Sequence, residues 1–207
     1  SRLFSKLDLK GDQLHNIDWI EPESDEPIGE YAKRISRNII HEDATLIGHS
    51  FGGIISLEIA NHIPVKNIFL ISSISSPSEI PFSFKLISKL RLYYLVSPWI
   101  LGNTISIWGR FYDYTTKEFR QLVRSMILGN SRTYLNWALK ALGNWNTKTA
   151  PADVNIHIIH GSQDKTFPIQ SLNKVSFRIK DGGHFMVYKH AEEISKFIND
   201  KMNTPGE

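Results

Sequence analysis

The chain has 207 residues, 41% of them hydrophobic, and a net charge of +3, which suits one globular domain or one domain carrying an insertion. It has no cysteine, which excludes disulfides, thiolate metal sites and a thiol nucleophile. Repeats, low-complexity tracts and basic motifs interleaved with aromatics are missing, so nucleic acid is not an expected partner.

The amino-terminal stretch lacks a charged start, an apolar middle and a small-residue cleavage site; with the lack of cysteine this fits a cytoplasmic location. The uncharged run from Leu92 to Gly109 nears the length of a membrane span, but Pro98, Gly102, Asn103 and Thr104 interrupt it. A lid or buried segment is expected there, and no stable span. Charge is unevenly spread. Between Ser75 and Lys148 ten basic residues face only Glu79, Asp113 and Glu118, which leaves room for a substrate with an anionic handle.

In chain order, Asn16 to Ile20 reads as a strand, and the acids and prolines of "EPESDEP" as a loop. Ile28, Tyr31, Ala32, Ile35 and Ile39 recur at helical spacing behind Pro27, predicting a helix to Ile40. "ATLIGHS" is apolar, short and closed by a glycine turn, as a buried strand is, and Phe51 to His62 is a helix apolar almost all round. "VKNIFLISS" gives another strand. The alternation then stops for Ile74 to Ala150, a stretch rich in helix formers and aromatics. It resumes with the strand "VNIHIIHG", a short helix after Pro168, the strand "VSFRIK", and a last helix with Val187, Ala191, Ile194 and Ile198 on one face. The pattern predicts an α/β fold: a mostly parallel sheet covered by helices on both faces, formed by residues 1–73 and 151–207. Residues 74–150 form a helical cap above the carboxyl edge of the sheet, where such folds bind ligands.

"LIGHSFGG" places Ser50 where a strand turns sharply into a helix. A tight turn there strains the serine backbone and brings its neighbours into collision unless they lack side chains, the role expected of Gly48 and Gly52; Gly53 suits close helix–sheet packing, and His49 is a pocket or sheet-end residue. The N–H of Phe51, at the head of the helix, can donate to an oxyanion. A serine hydroxyl needs a base and an orienting carboxylate. "HGSQD" supplies Asp164 and "GGHF" supplies His184, each beyond the end of a later strand.

Through "GHSFGG", "HGSQD" and "GGHF" the chain resembles the α/β-hydrolase superfamily over nearly all of its length, and more loosely its small lipase, carboxylesterase and acyl-hydrolase branch with a helical cap. The resemblance implies Ser50 as nucleophile, His184 as general base and acid, Asp164 as the group that orients the imidazole, and Phe51 N–H as one oxyanion donor. The resemblance also implies further amino-terminal strands and an "HG" type loop that gives a second oxyanion N–H; nothing matching that loop precedes "SRLFSKL", so either the chain is truncated or it lacks that donor.

Asp181 competes with Asp164 but lies on the other side of the glycines, where it supports the turn. His160 is expected to be buried and bonded to backbone. His15, His41, His62, His157 and His190 lack metal-ligand spacing, so neither a metal nor a cofactor is expected. Tyr93, Tyr94, Trp99 and Trp108 are the candidate pocket residues of the cap. The expected function is hydrolysis of a small acyl ester or thioester through an acyl-enzyme. A catalytically silent ligand-binding member of the fold, a C–C bond hydrolase and an acyltransferase are the alternatives.

Overall fold

Four short apolar runs form one sheet. The computed structural model describes residues 2–11, 14–109, 116–147, 151 and 153–203, and within them β1 (Ala44–His49), β2 (Val65–Ile71), β3 (Asn155–Gly161) and β4 (Phe177–Ile179) lie side by side in the order β1-β2-β3-β4. Every neighbouring pair is parallel. Such strands need both faces covered, and β2 shows how: Ile68 and Leu70 point into one apolar cluster, Phe69 and Ile71 into another. The period-2 alternation of side chains therefore feeds two cores from one strand.

The first core is closed by α1 (Ile28–Ser36) and α2 (Phe51–Ile59), through Tyr31, Ile35, Ile54 and Ile55. The second is closed by α8 (Met186–Lys189) and α9 (Ala191–Asn203), through Met186, Val187, Ile194 and Ile198, with Leu3 from the amino-terminal segment. The last helix of the sequence reading is thus two helices, broken at His190, that still bury the expected apolar face.

Between β2 and β3 come α3 (Phe82–Lys89), α4 (Pro98–Asn103), α5 (Ile105–Trp108), α6 (Lys117–Leu128) and α7 (Arg132–Asn144). Helix α7 joins the first core through Tyr134, Trp137, Ala138 and Leu142. Its indole Trp137 Nε1 donates to the Glu26 carbonyl at 2.8 Å, and Lys140 Nζ reaches Asp25 at 2.6 Å. Among the described residues, no helix is long and apolar enough to cross a membrane.

Several local expectations are corrected. Asn16 to Ile20 is largely exposed and belongs to none of the described strands; the N–H of Ile20 donates to Tyr31 Oη at 3.2 Å and that hydroxyl donates to the Ile20 carbonyl at 3.0 Å, which takes the place of a strand partner. The first helix stops at Ser36, because the N–H groups of Asn38 and Ile39 turn back three residues, to the carbonyls of Ile35 and Ser36. Ile40 is then left 81% exposed. The stretch after Pro168 is only a 3-10 turn, Ile169–Ser171. "VSFRIK" contributes three residues to the sheet, since β4 lies at its edge.

Candidate active site

The ladder carries one residue past the strand ends: Ser50 N–H donates to the Ile71 carbonyl, Ser72 N–H to that of Ile159, and Ser162 N–H to that of Ile179, each at 3.0 Å. This extension aligns the loops after β1, β2, β3 and β4 along one edge, and Ser50, Ser73, Asp164 and His184 converge there.

Ser50 adopts φ 54° and ψ −124°, a conformation that costs a residue with a Cβ on the order of 1–3 kcal/mol and persists only where the surroundings enforce it. Two glycines make it possible. A Cβ on Gly48 would lie 2.5 Å from both the Gly52 carbonyl oxygen and Gly53 Cα, and a Cβ on Gly53 would collide with the Ser73 side chain. Gly52 is different: a Cβ there would meet only the Trp19 ring, at an ordinary 3.6 Å. The expectation that Gly48 and Gly52 relieve the crowding is corrected to Gly48 and Gly53, because the packing partner of the turn is the segment just after β2. The carbonyl of Ser50 is held by Gly53 N–H at 2.9 Å and by Ser73 Oγ at 2.7 Å. Phe51 N–H, at the head of α2, finds no acceptor among the described residues.

His184 Nε2 lies 2.9 Å from Ser50 Oγ, and His184 Nδ1 lies 2.9 Å from Asp164 Oδ2. An ionised carboxylate only accepts, so Nδ1 carries the proton and Nε2 is free to accept from the serine hydroxyl. Asp164 is fixed by its other oxygen, which accepts from Thr166 N–H at 2.8 Å and Phe167 N–H at 3.0 Å. Burial alone would raise its pKa, but the bond from His184 and the electrostatic attraction of that ring, with the Phe167 N–H and His160, outweigh it and hold the carboxyl below its ordinary range.

Two further histidines frame these three side chains. His160 is fully buried; its Nε2 donates to the Phe167 carbonyl at 2.8 Å and lies 3.4 Å from Asp164 Oδ2. Burial lowers its pKa despite the nearby carboxylate, so it is neutral. His49 Nε2 donates to the backbone carbonyl of His184 at 2.8 Å, its ring 5.1 Å from those of His184 and Phe185. Desolvation, then the neighbouring His184, lower its pKa too. His49 therefore fixes the backbone that carries His184, a contact nothing in the sequence signals.

Asp181 does not join this network. It is exposed, at φ 57°, and accepts from Gln163 Nε2 at 3.0 Å while its own N–H donates to Ser162 Oγ. The remaining histidines are dispersed: His15 against His41, His157 stacked on Phe69, His190 beside Glu193, and His62 exposed. No group of three metal-ligating side chains occurs among the described residues.

A groove of about 1490 Å³ opens at Ser50 and Phe51. Its aromatic lining includes Trp19, Phe51, Phe84, Tyr134, Phe167 and Phe185, with Leu135, Leu139 and Met126 among its aliphatic residues. The candidate pocket residues of the cap are corrected accordingly. Tyr93 is buried against Tyr94, while Tyr94 and Trp99 are 56% and 69% exposed, and none of the three lines the groove. The side chain of Trp108 lies outside the described residues. Between β2 and β3 the lining comes instead from residues such as Phe84 of α3 and Tyr134, Leu135 and Leu139 of α7, and Trp19 joins them, its ring 5.6 Å from that of Tyr134 and 6.4 Å from that of Phe51. Burial pushes the Tyr134 phenol well above its ordinary pKa, keeping it un-ionised.

No curated protein sequence matches the chain. Among solved structures it is similar to MenH from S. aureus (18% identity, TM-score 0.62, covering 86% of this chain and 77% of that one). It is similar also to the type II thioesterase BorB of the borrelidin biosynthetic cluster (17%, TM-score 0.59, 86% and 74%). An esterase from Exiguobacterium antarcticum matches at 15% identity, TM-score 0.59, with coverage of 86% and 74%. At these identities the likeness is one of fold. The sequence model of the alpha/beta hydrolase family matches residues 10–197, a span that takes in all four strands and the edge where Ser50, Asp164 and His184 meet, and the chain therefore belongs to the alpha/beta hydrolase family.

Proposed function

We propose that this hydrolase is of the serine type and cleaves a carboxylic ester or thioester through an acyl-enzyme. The observation that carries the reading is the unbroken chain from Asp164 Oδ2 to His184 Nδ1 and from His184 Nε2 to Ser50 Oγ, 2.9 Å at each link. His184 Nε2 takes the hydroxyl proton as Ser50 Oγ bonds to the substrate carbonyl carbon. The tetrahedral oxyanion is met by Phe51 N–H and the positive end of α2. His184 then gives its proton to the departing alkoxide or thiolate as the carbonyl–oxygen or carbonyl–sulfur bond breaks. A water, deprotonated by the same nitrogen, attacks the acyl-enzyme and releases the acid and Ser50.

The groove supports an apolar acyl group, because its aromatic wall begins at the residue next to the nucleophile. Structural neighbours that are themselves an esterase and a thioesterase support the same substrate class. The test is intact-mass analysis after exposure to a fluorophosphonate. One adduct on the wild type and none on Ser50→Ala is the expected result. A folded wild-type chain that takes no adduct overturns the reading and leaves a ligand-binding member of the family in its place.

A further inference from the structure

We propose that the outer face of the α3–α5 region docks on an anionic phospholipid surface. Of the thirteen large hydrophobic side chains exposed among the described residues, nine fall between Phe82 and Ile107. Single exposed apolar residues are ordinary on a protein surface, but a concentration of this size in one segment calls for a partner.

The geometry of α3 shows that this exposure is not a by-product of loose packing. Its inner stripe, Phe84 and Ser88, is spent on the protein: the Phe84 ring sits 5.9 Å from that of Phe167, and Ser88 Oγ donates to the Lys140 carbonyl of α7 at 3.3 Å. Two residues along a helix is about 200° around it, so Phe82, Leu86 and Leu90 form a stripe on the opposite side. They are 76%, 37% and 56% exposed. The segment continues with Leu95 at 74%, Trp99 at 69% and Ile107 at 69%.

Charge decides the partner. From Ile80 to Gly109 the chain has no acidic residue but carries Lys85, Lys89 and Arg91. Lys85 and Lys89 flank the apolar stripe, are exposed, and make no ion pair with any described carboxylate. Protruding apolar side chains, an indole and a phenol, and unpaired cations beside them are what the headgroup region of an anionic bilayer accommodates: apolar tips enter the acyl boundary while ammonium groups remain among the phosphates.

The test is co-sedimentation with vesicles of phosphatidylcholine alone and of phosphatidylcholine mixed with phosphatidylglycerol, at low and high salt. Wild type is expected to sediment with the anionic vesicles and to be released by salt. Binding should fall at least about tenfold in F82S/L86S/L90S and in K85E/K89E, both checked for an unchanged circular dichroism spectrum and thermal midpoint. S50A should bind like wild type, which separates this proposal from the reading of Ser50. Wild type that stays in the supernatant with both compositions overturns the proposal, as does equal sedimentation of all variants. Self-association of wild type, abolished in F82S/L86S/L90S without any vesicle binding, overturns it in favour of a second copy of the chain.

Discussion

Ser73 Oγ donates to the carbonyl oxygen of Ser50 at 2.7 Å, and the same side chain occupies the space that a Cβ on Gly53 would need. The segment just after β2 is thus the mould against which the strained turn after β1 is cast. Ser73→Ala removes one of the two donors to this carbonyl and should cost about 1 kcal/mol in urea unfolding. It should also slow fluorophosphonate labelling, because Ser50 is then held by one bond fewer. Unfolding and labelling rates both equal to wild type would remove Ser73 from the turn.

The glycines of the turn should respond unequally. At Gly48 an added methyl meets backbone atoms at 2.5 Å that cannot swing aside, so Gly48→Ala should lose about 3 kcal/mol or fail to fold. At Gly52 the methyl meets only the Trp19 ring at 3.6 Å, within a helix. Gly52→Ala should therefore stay within about 1 kcal/mol of wild type. Denaturant midpoints of the two variants, measured side by side, decide the point.

Asp164→Asn keeps the volume of the side chain but removes the charge that fixes the imidazole tautomer. Turnover of a soluble p-nitrophenyl ester should fall by up to about 10⁴-fold while thermal stability changes much less. Asp181→Asn, remote from His184, should leave turnover within about twofold, since its bonds reach only Gln163 and Ser162.

Groove walls should set acyl preference. Leu135→Trp or Leu139→Trp narrows the groove from α7 and should shift the best p-nitrophenyl ester toward shorter chains, by about tenfold in the kcat/KM ratio of long to short substrates. Trp99→Ala should leave that ratio unchanged, because Trp99 is 69% exposed and away from the groove. A ratio that moves with Trp99 and not with Leu139 would reverse the assignment of the wall.

Acid should destabilise the fold in two stages. His160 and His49 titrate in the folded state below their ordinary 6.5, and Asp164 below its ordinary 3.8. In each case the unfolded chain takes up a proton at a higher pH than the folded one. The stability these groups contribute is therefore complete above the unfolded value and lost as pH falls through the folded value. The thermal midpoint should begin to drop below about pH 6.5 and drop again below about pH 4. His160→Gln should lower the midpoint at neutral pH but flatten the first stage. A midpoint that rises on acidification contradicts the desolvation assigned to both histidines.

By itself the sequence determined the features written within a few residues. Apolar runs of strand length, the glycine-flanked serine, and loops that place Asp164 and His184 beyond strand ends depend on local periodicity and turn chemistry, so the parallel sheet and the edge where the three residues meet were legible. Tertiary structure decided whatever depends on a distant neighbour. Asn16 to Ile20 has strand composition but no strand beside it among the described residues, and a ladder needs two strands. Tyr93 and Trp99 have the chemistry of a pocket wall, yet packing buries one and leaves the other in solvent, while Trp19 and Tyr134 arrive from segments far apart in the chain to wall the groove. Ser73 and His49 acquire their roles only through a carbonyl supplied by another segment, because a hydrogen bond across the fold leaves no periodicity in the sequence to find.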